Sequence, residues 1–577
     1  MKLRDGLLVS LAVATVACAL PQDARLVRRG VRLATSWRDG FRSTGEYVDA
    51  ARRMAARAQA SGKSVAYCCS RGHELLPVDR SRVLAMSWAT APKPVKFGAV
   101  PELTDADAIV APSDSSWACA ELPAQGYRIL DSGGGLHLWA RGSDWTSSSF
   151  TGSPPRPWRG ELMSTLALGL VVAAFVAIGG FEGLVWGLLA LSVSMFLAVA
   201  GLHWTGWTCA AVSLAVALGL VARLSASAKR GRSRWLCVGG ALCLFVAYGA
   251  LALTHTFVAP NGLGTVGGKA KLLLLAAGFP TGFFTDGTFA PYQPTYPPGA
   301  AMLVLWGYSL ANASGEWLIQ LVPCLWMSAL CGFLLSRAPP WPGRLLVVAF
   351  FLTPLTVRLA TLFYPECLVG LCVLVGWERI RRDSLDWLGW LVLGASGWFK
   401  NEGLIYFVSL AVAVFLLRSS DLRIRLLLRI VSGALLPVAW QCGCRLAGAS
   451  LDGYVPLCQM SVAKGFAAFT RMVRYALLEP WRYGFAFPVG LVVLARRSWR
   501  GPSALGAVCL GVVFMVGCFG AIFALSGAAD FNWHLDSVER LLWVPALLLV
   551  REIVDALENE ACAQTEPRRI PLRPDFW

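Results

Sequence analysis

Charge is scarce in this chain: Asp, Glu, Lys and Arg make up 15% of 577 residues while hydrophobic residues make up 56%, and the mean hydropathy is +0.56. That balance excludes an ordinary soluble domain and predicts a polytopic membrane protein. Acidic residues are the scarcer sign, 35 against 52 basic, for a formal net charge of +17. The surplus does not point to nucleic acid, because the basic residues lie in short clusters between apolar segments, as the positive-inside bias requires. Also lacking are metal or redox motifs. Cys442-Gly-Cys444 has neither redox nor zinc spacing, most of the 17 cysteines lie in apolar segments, and His73, Asp105, Asp107 and Asp114 match no ligand pattern. No cofactor and no metal are expected, and no internal repeat of the kind common in transporters is visible.

What is present is a succession of apolar runs long enough to cross a bilayer. They lie near 5–20, 160–178, 183–203, 207–223, 235–255, 316–335, 343–358, 366–378, 386–398, 403–418, 426–446, 484–496, 503–526 and 540–553. The expected fold is mainly α, a helical bundle of about 13–14 spans. Counting 298–310 as another span would place the basic tract RSSDLRIRLLLR (418–429) outside, so the charge bias predicts that Pro298–Leu310 lies along the outer interface as a juxtamembrane helix. The outward segments are then 21–157, 256–315, 359–366, 398–403, 447–483 and 527–540.

Residues 1–20 read as a signal anchor or signal peptide, and 21–157 as an extracytoplasmic α/β domain. In that domain Tyr47–Ala60 is expected to be a helix, 65–69 and 106–112 buried strands, and 127–141 a closing hairpin. Cys68, Cys69 and Cys119 offer one disulfide whose partners the sequence does not choose. Residues 158–234 add transmembrane helices, 235–555 form the main transmembrane domain with its outer loop 256–315, and 556–577 form a cytoplasmic tail.

Ionisable groups at membrane depth are costly and mark function more often than structure. Four places qualify. Glu366 opens an apolar helix after Tyr364-Pro365, where capping is the competing role. Lys400, Asn401 and Glu402 stand together between two spans with no long loop. His534 and Arg540 lie in a tract that runs into the last span, and a cation there suits a phosphate. The long Gly- and Pro-rich loop 258–300 carries Asn261, Lys269, Lys271, Asp286 and Tyr296-Pro297-Pro298. Their shared location on one membrane face carries more weight than any of them singly.

The tracts KAK, PTYPPGA, FYPE, WFKNEGL and NWHLDSVERLL follow one another in an order that resembles the bacterial GT-C glycosyltransferases of the protein O-mannosyltransferase and aminoarabinose transferase type, over roughly 235–555. The resemblance implies inverting transfer of a sugar from a polyprenyl-phosphate donor to a glycan, lipid or protein acceptor, at the outer face of the bacterial inner membrane. It implies Asp286, Glu366 and Glu402 as catalytic acids. Asn261, Lys269, Tyr296, Lys400, Asn401, His534 and Arg540 are implied as substrate-binding residues. The chain departs from the family where Asn261 stands in place of the usual acid, since an amide cannot take a proton. A flippase of lipid-linked saccharides and a catalytically impaired homologue are the alternatives.

Overall fold

The computed structural model describes residues 65–68, 96–98, 108–112, 122–124, 126–133, 136–141, 158–224, 234–253, 265–286, 289, 292–311, 316–338, 342–362, 364–449, 459–497, 504–525 and 537–565, with isolated positions in 10–17 and at 54. Of the helix expected at 47–60 only Met54 falls among them, helical and buried. Asn261, His534, the first apolar segment as a whole, Cys69 and Cys119, and most of the C-terminal tail lie outside the described residues.

Near the N-terminus a five-stranded mixed sheet forms from β1 (Val65–Cys68), β2 (Lys96–Gly98), β3 (Ala108–Pro112), β4 (Tyr127–Gly133) and β5 (Leu136–Arg141). Its order is β2-β1-β3-β5-β4. β1 pairs in parallel with β2 and β3, and β5 runs antiparallel to β3 and β4. Ile109, Val110 and Ala111 are buried in succession, the pattern of a strand covered on both faces. The expected hairpin is paired from Tyr127–Arg141 to Gly133–Leu136.

The rest is helical. α1 (Trp158–Leu202) contains Gly180 at φ 66, ψ −161, a break inside what is otherwise continuous helix. A Cβ on Gly187 would sit 2.4 Å from the Phe175 ring. Residues twelve apart on a straight helix would be about 18 Å distant, so the arms 158–179 and 181–202 fold back on each other, as two adjacent apolar runs predict. α2 (Trp207–Leu224) and α3 (Arg234–Leu253) follow. Four helices, Leu162–Leu202, Trp207–Leu224, Leu318–Arg337 and Ala504–Ala524, are long and apolar enough to cross a membrane among the described residues. A bent pair, α7 (Pro342–Phe351) and α8 (Pro354–Thr361), angled by 59°, brings the number to five when it is counted as one span. The straight span expected at 343–358 is thus broken, because Pro354 has no N–H to continue the ladder and Thr353 Oγ1 donates to Phe350 O instead, at 2.9 Å.

Between these lie α4 (Gly267–Leu275), α5 (Gly299–Ala311) and α6 (Glu316–Arg337). α5 stands where the interfacial helix is expected, and Gly299 through Ser309 are all buried, so it is enclosed by other parts of the protein rather than lying on an open surface. At 13 residues, or about 20 Å, it is also shorter than a hydrocarbon core of about 30 Å. The chain continues through α9 (Glu366–Arg382), α10 (Trp387–Phe399), α11 (Asn401–Leu417) and α12 (Ser420–Leu446). α13 (Val462–Val473), a π turn (Arg474–Leu478) and a 3-10 turn (Pro480–Tyr483) lead into α14 (Ala486–Arg497), α15 (Ala504–Ala524) and α16 (Trp543–Thr565).

Small residues let these helices touch backbone to backbone, as membrane helices require in the absence of a hydrophobic driving force between them. On Gly394 of α10 a Cβ would lie 1.9 Å from Gly433 O of α12, and on Gly433 it would lie 2.4 Å from Trp390 O. α10 and α12 run parallel from this crossing: Gly397 meets Pro437, the Trp398 and Trp440 rings are 6.1 Å apart, and Gln441 Nε2 donates to Asn401 Oδ1 at 3.0 Å. α5 joins the same end. Trp398 Nε1 donates to Ser192 Oγ at 2.8 Å, and that hydroxyl donates to Gly299 O at 3.0 Å.

Candidate functional site

Lys400 is a single extended residue, φ −159 and ψ 142, between the end of α10 and the start of α11. The reversal is this abrupt because Gly403 has no side chain: a Cβ there would lie 2.1 Å from Ser396 O. Ser396 Oγ then donates to Gly403 O at 2.8 Å. The tract KNEGL therefore ends one helix, begins the next and projects Lys400 inward, where it is buried.

Glu366 arrives from α9. Pro365 stands at its N-cap and accepts the amides of Leu368 and Val369 at 3.0 and 3.1 Å, so the carboxylate is not used as a side-chain cap. It is 2% exposed. Its Oε1 accepts from Lys400 Nζ at 2.9 Å and from Arg540 Nη1 at 3.2 Å. Lys400 Nζ also donates to Glu402 Oε1 at 2.9 Å. The second oxygen of each carboxylate, Glu366 Oε2 and Glu402 Oε2, is buried and accepts no hydrogen bond among the described residues.

Arg540 is oriented from two sides. Ser537, three residues earlier on the same helical turn, accepts from Nη2 at 2.6 Å. The guanidinium lies over the Tyr364 ring, 4.3 Å from its centroid, a cation–π contact. Tyr296 and Glu402 are also within electrostatic range of Arg540. Tyr406 donates its hydroxyl to Leu541 O at 2.8 Å, which fixes the approach of this segment to α11.

Glu366, Lys400, Glu402, Arg540 and Tyr296, expected at one face, thus converge, and Asn401 stands beside them at the Gln441 contact. Lys269 has a different place. It is fully buried and donates to Gln293 O and Tyr296 O, both at 2.9 Å, so it fixes the loop rather than facing a ligand. Burial pushes its ammonium down to about 7, against a smaller upward pull from Cys444. Asp286 is exposed at the end of the turn 281–286. This turn is held by a cluster of Phe279, Phe283, Phe284, Phe289 and Tyr292. Phe284 lies 6.1 Å from Trp440, and Trp440 Nε1 donates to Thr295 O at 3.0 Å. The loop therefore covers the same end of the bundle as Lys400, with Asp286 on its exposed side.

Sequence reasoning passes over three residues that shape the site: Tyr364, Ser537 and Tyr406. Ser537 had a usable signal, since three-residue spacing on a helix puts it beside Arg540. Tyr364 had one in its nearness to Glu366, but Tyr406 looks like any aromatic in an apolar run. Chemically, the cluster offers two cations for an anionic group and two carboxylate oxygens with spare acceptor capacity, closed in by aromatic rings. No family model, curated protein or solved structure matches this chain.

Proposed function

We propose that the protein is a membrane glycosyltransferase that moves a sugar from a polyprenyl-phosphate donor to a hydroxyl acceptor at the extracytoplasmic face of the bacterial inner membrane. In this reading about 13–14 spans surround the site, and the product belongs to the cell-envelope glycans. The observation that carries it is the pairing of Lys400 and Arg540 with two carboxylates that each keep one oxygen without a hydrogen bond among the described residues. A phosphate leaving group needs the cations, and an incoming hydroxyl needs the acceptor. A lipid-borne donor also accounts for a polar cluster at the end of an apolar bundle, because the tail stays in the bilayer while the phosphate and sugar reach water.

The acceptor oxygen attacks the anomeric carbon, the bond from that carbon to the phosphate oxygen breaks with its electron pair on the phosphate, and the hydroxyl proton passes to a carboxylate. Of the two, Glu402 is assigned this role: its side chain is 25% exposed against 2% for Glu366, whose charge is shared between two cations, although the Glu402 oxygen left without a partner among the described residues is itself buried. Glu366 is then a positioning residue for Lys400 and Arg540. The test is transfer of radiolabelled sugar from a polyprenyl-phosphate donor in membranes holding wild type or Glu402→Gln. The expected outcome is a fall of about 10²–10⁴-fold in the variant. Equal transfer by both overturns the assignment of Glu402, and wild-type membranes that move labelled lipid between leaflets without sugar transfer favour the flippase.

A further inference from the structure

A second polar feature lies apart from the Glu366 cluster. It is a crevice of about 480 Å³ lined by Thr470, Arg471, Arg474, Tyr475, Glu479 and Arg482. Its walls are the end of α13, the π turn and the 3-10 turn. The Tyr475 ring is its floor: Arg482 lies over it at 4.9 Å and Arg471 at 5.7 Å, and Arg471 Nε donates to the Tyr475 hydroxyl at 3.0 Å. Glu479 accepts from Arg474 Nε at 3.0 Å and from Arg482 Nε at 2.6 Å. Arg482 Nη1 also donates to Glu539 Oε1 behind the lining, at 2.5 Å, so three arginines face two glutamates and a formal surplus of one positive charge remains. Arg474 is 67% exposed, so most of its fork faces outward.

The helix leading into this crevice is amphipathic in an unusual sense. Val462, Phe466, Phe469, Val473 and Leu477, spaced by three or four residues, are all exposed. They are not an inner face, because Gly465, Ala468 and Met472 fill that role. A Cβ on Gly465 would lie 2.8 Å from Gly520 O of α15, and the other two are buried. An exposed apolar stripe that ends at a cationic crevice is complementary to an amphiphile with an anionic head.

We propose that this crevice binds the phosphate headgroup of an anionic membrane lipid, with the lipid's acyl chains along the stripe on α13. The site includes none of Glu366, Lys400, Glu402 or Arg540, so it stands or falls independently of sugar transfer. The experiment uses the full-length protein, purified in detergent and delipidated, with native mass spectrometry to follow retained lipid. Dioleoylphosphatidylglycerol, dioleoylphosphatidylcholine and inorganic phosphate are the probes. The expected result is preferential retention of phosphatidylglycerol, weakened about tenfold by Arg474→Ala and by the size-conserving Arg474→Gln, as loss of one charge-assisted hydrogen bond predicts. Equal retention of the two lipids, or unchanged retention in both variants, overturns the proposal. Inorganic phosphate that displaces the lipid at equal concentration overturns it too, since the crevice is then a site for free anions.

Discussion

One helix carries a charge cluster at each end, and the two are built differently. Glu366 opens α9 and meets Lys400 and Arg540; Glu378, about 18 Å further along, meets Arg551 and, at 3.4 Å, Arg381. At the Glu378 end Asp555 takes Arg381 on one oxygen and Arg551 on the other, and Glu552 accepts from Trp377 at 2.8 Å. Both oxygens of Glu378 and both of Asp555 therefore face an arginine, and Glu378, Arg551 and Glu552 are buried. These four oxygens each face a cation, although Arg551 Nη1 makes no hydrogen bond among the described residues, and the network joins α9 to α16. At the Glu366 end two buried carboxylate oxygens accept no hydrogen bond among the described residues. A buried polar atom without a partner costs stability, so it persists where something other than stability retains it.

The largest effect expected from breaking this comparison is on the closed end. Arg551→Ala strands Glu378 and costs about 3–5 kcal/mol, read as a lower melting temperature in detergent, while sugar transfer per folded molecule stays unchanged. Lys400→Ala does the opposite. It removes the group that bridges two carboxylates, and transfer falls about 10²–10³-fold, measured with the labelled donor. A loss of transfer in Arg551→Ala equal to that in Lys400→Ala, after correction for folded protein, would erase the distinction between the two ends.

Two smaller tests sharpen it. Gly394→Ala forces a methyl against Gly433 O, a backbone atom that cannot turn aside, and costs about 1–3 kcal/mol; the melting temperature drops and so does transfer, because the α10–α12 pair carries Lys400. Lys269 gives a pH signature. Its folded value, about 7, is below the ordinary 10.5, so between these values the unfolded chain binds the extra proton and stability rises with pH. Below pH 7 the penalty of burying the charge is fully present, and above 10.5 it is gone. A neutral amine still has two N–H groups for Gln293 O and Tyr296 O, so the loop stays pinned. Lys269→Met is expected to lack this rise when melting temperature is followed from pH 6 to 9.

Much of the architecture is legible in the sequence because it rests on period and composition. The strands 65–68 and 108–112 and the hairpin 127–141 follow from short apolar and alternating runs, and the two arms of α1 from adjacent apolar runs. Glu366, Lys400 and Arg540 stand out because charge is rare in such a chain. What is not legible depends on the neighbours a residue acquires. The apolar tract 299–311 reads the same whether it lies on a surface or is enclosed by other helices. Lys269 reads as a ligand group until its partners turn out to be backbone carbonyls. Asp286 reads as a catalytic acid, and the structure shows it exposed at the end of the aromatic-held turn 281–286.

The parallel pairing of α10 with α12 makes the second helix a gauge for the first. From the Gly394–Gly433 crossing to the Trp398–Trp440 contact the two helices advance by four and seven residues, and just past the end of α10 Asn401, the first residue of α11, meets Gln441 of α12. A single residue inserted between Gly433 and Trp440 would turn everything beyond it by about 100°. Trp440 would swing off Thr295, and Gln441 off Asn401. The spacing within an otherwise featureless apolar stretch is thus a dimension of the site, set with the tolerance of one helical step.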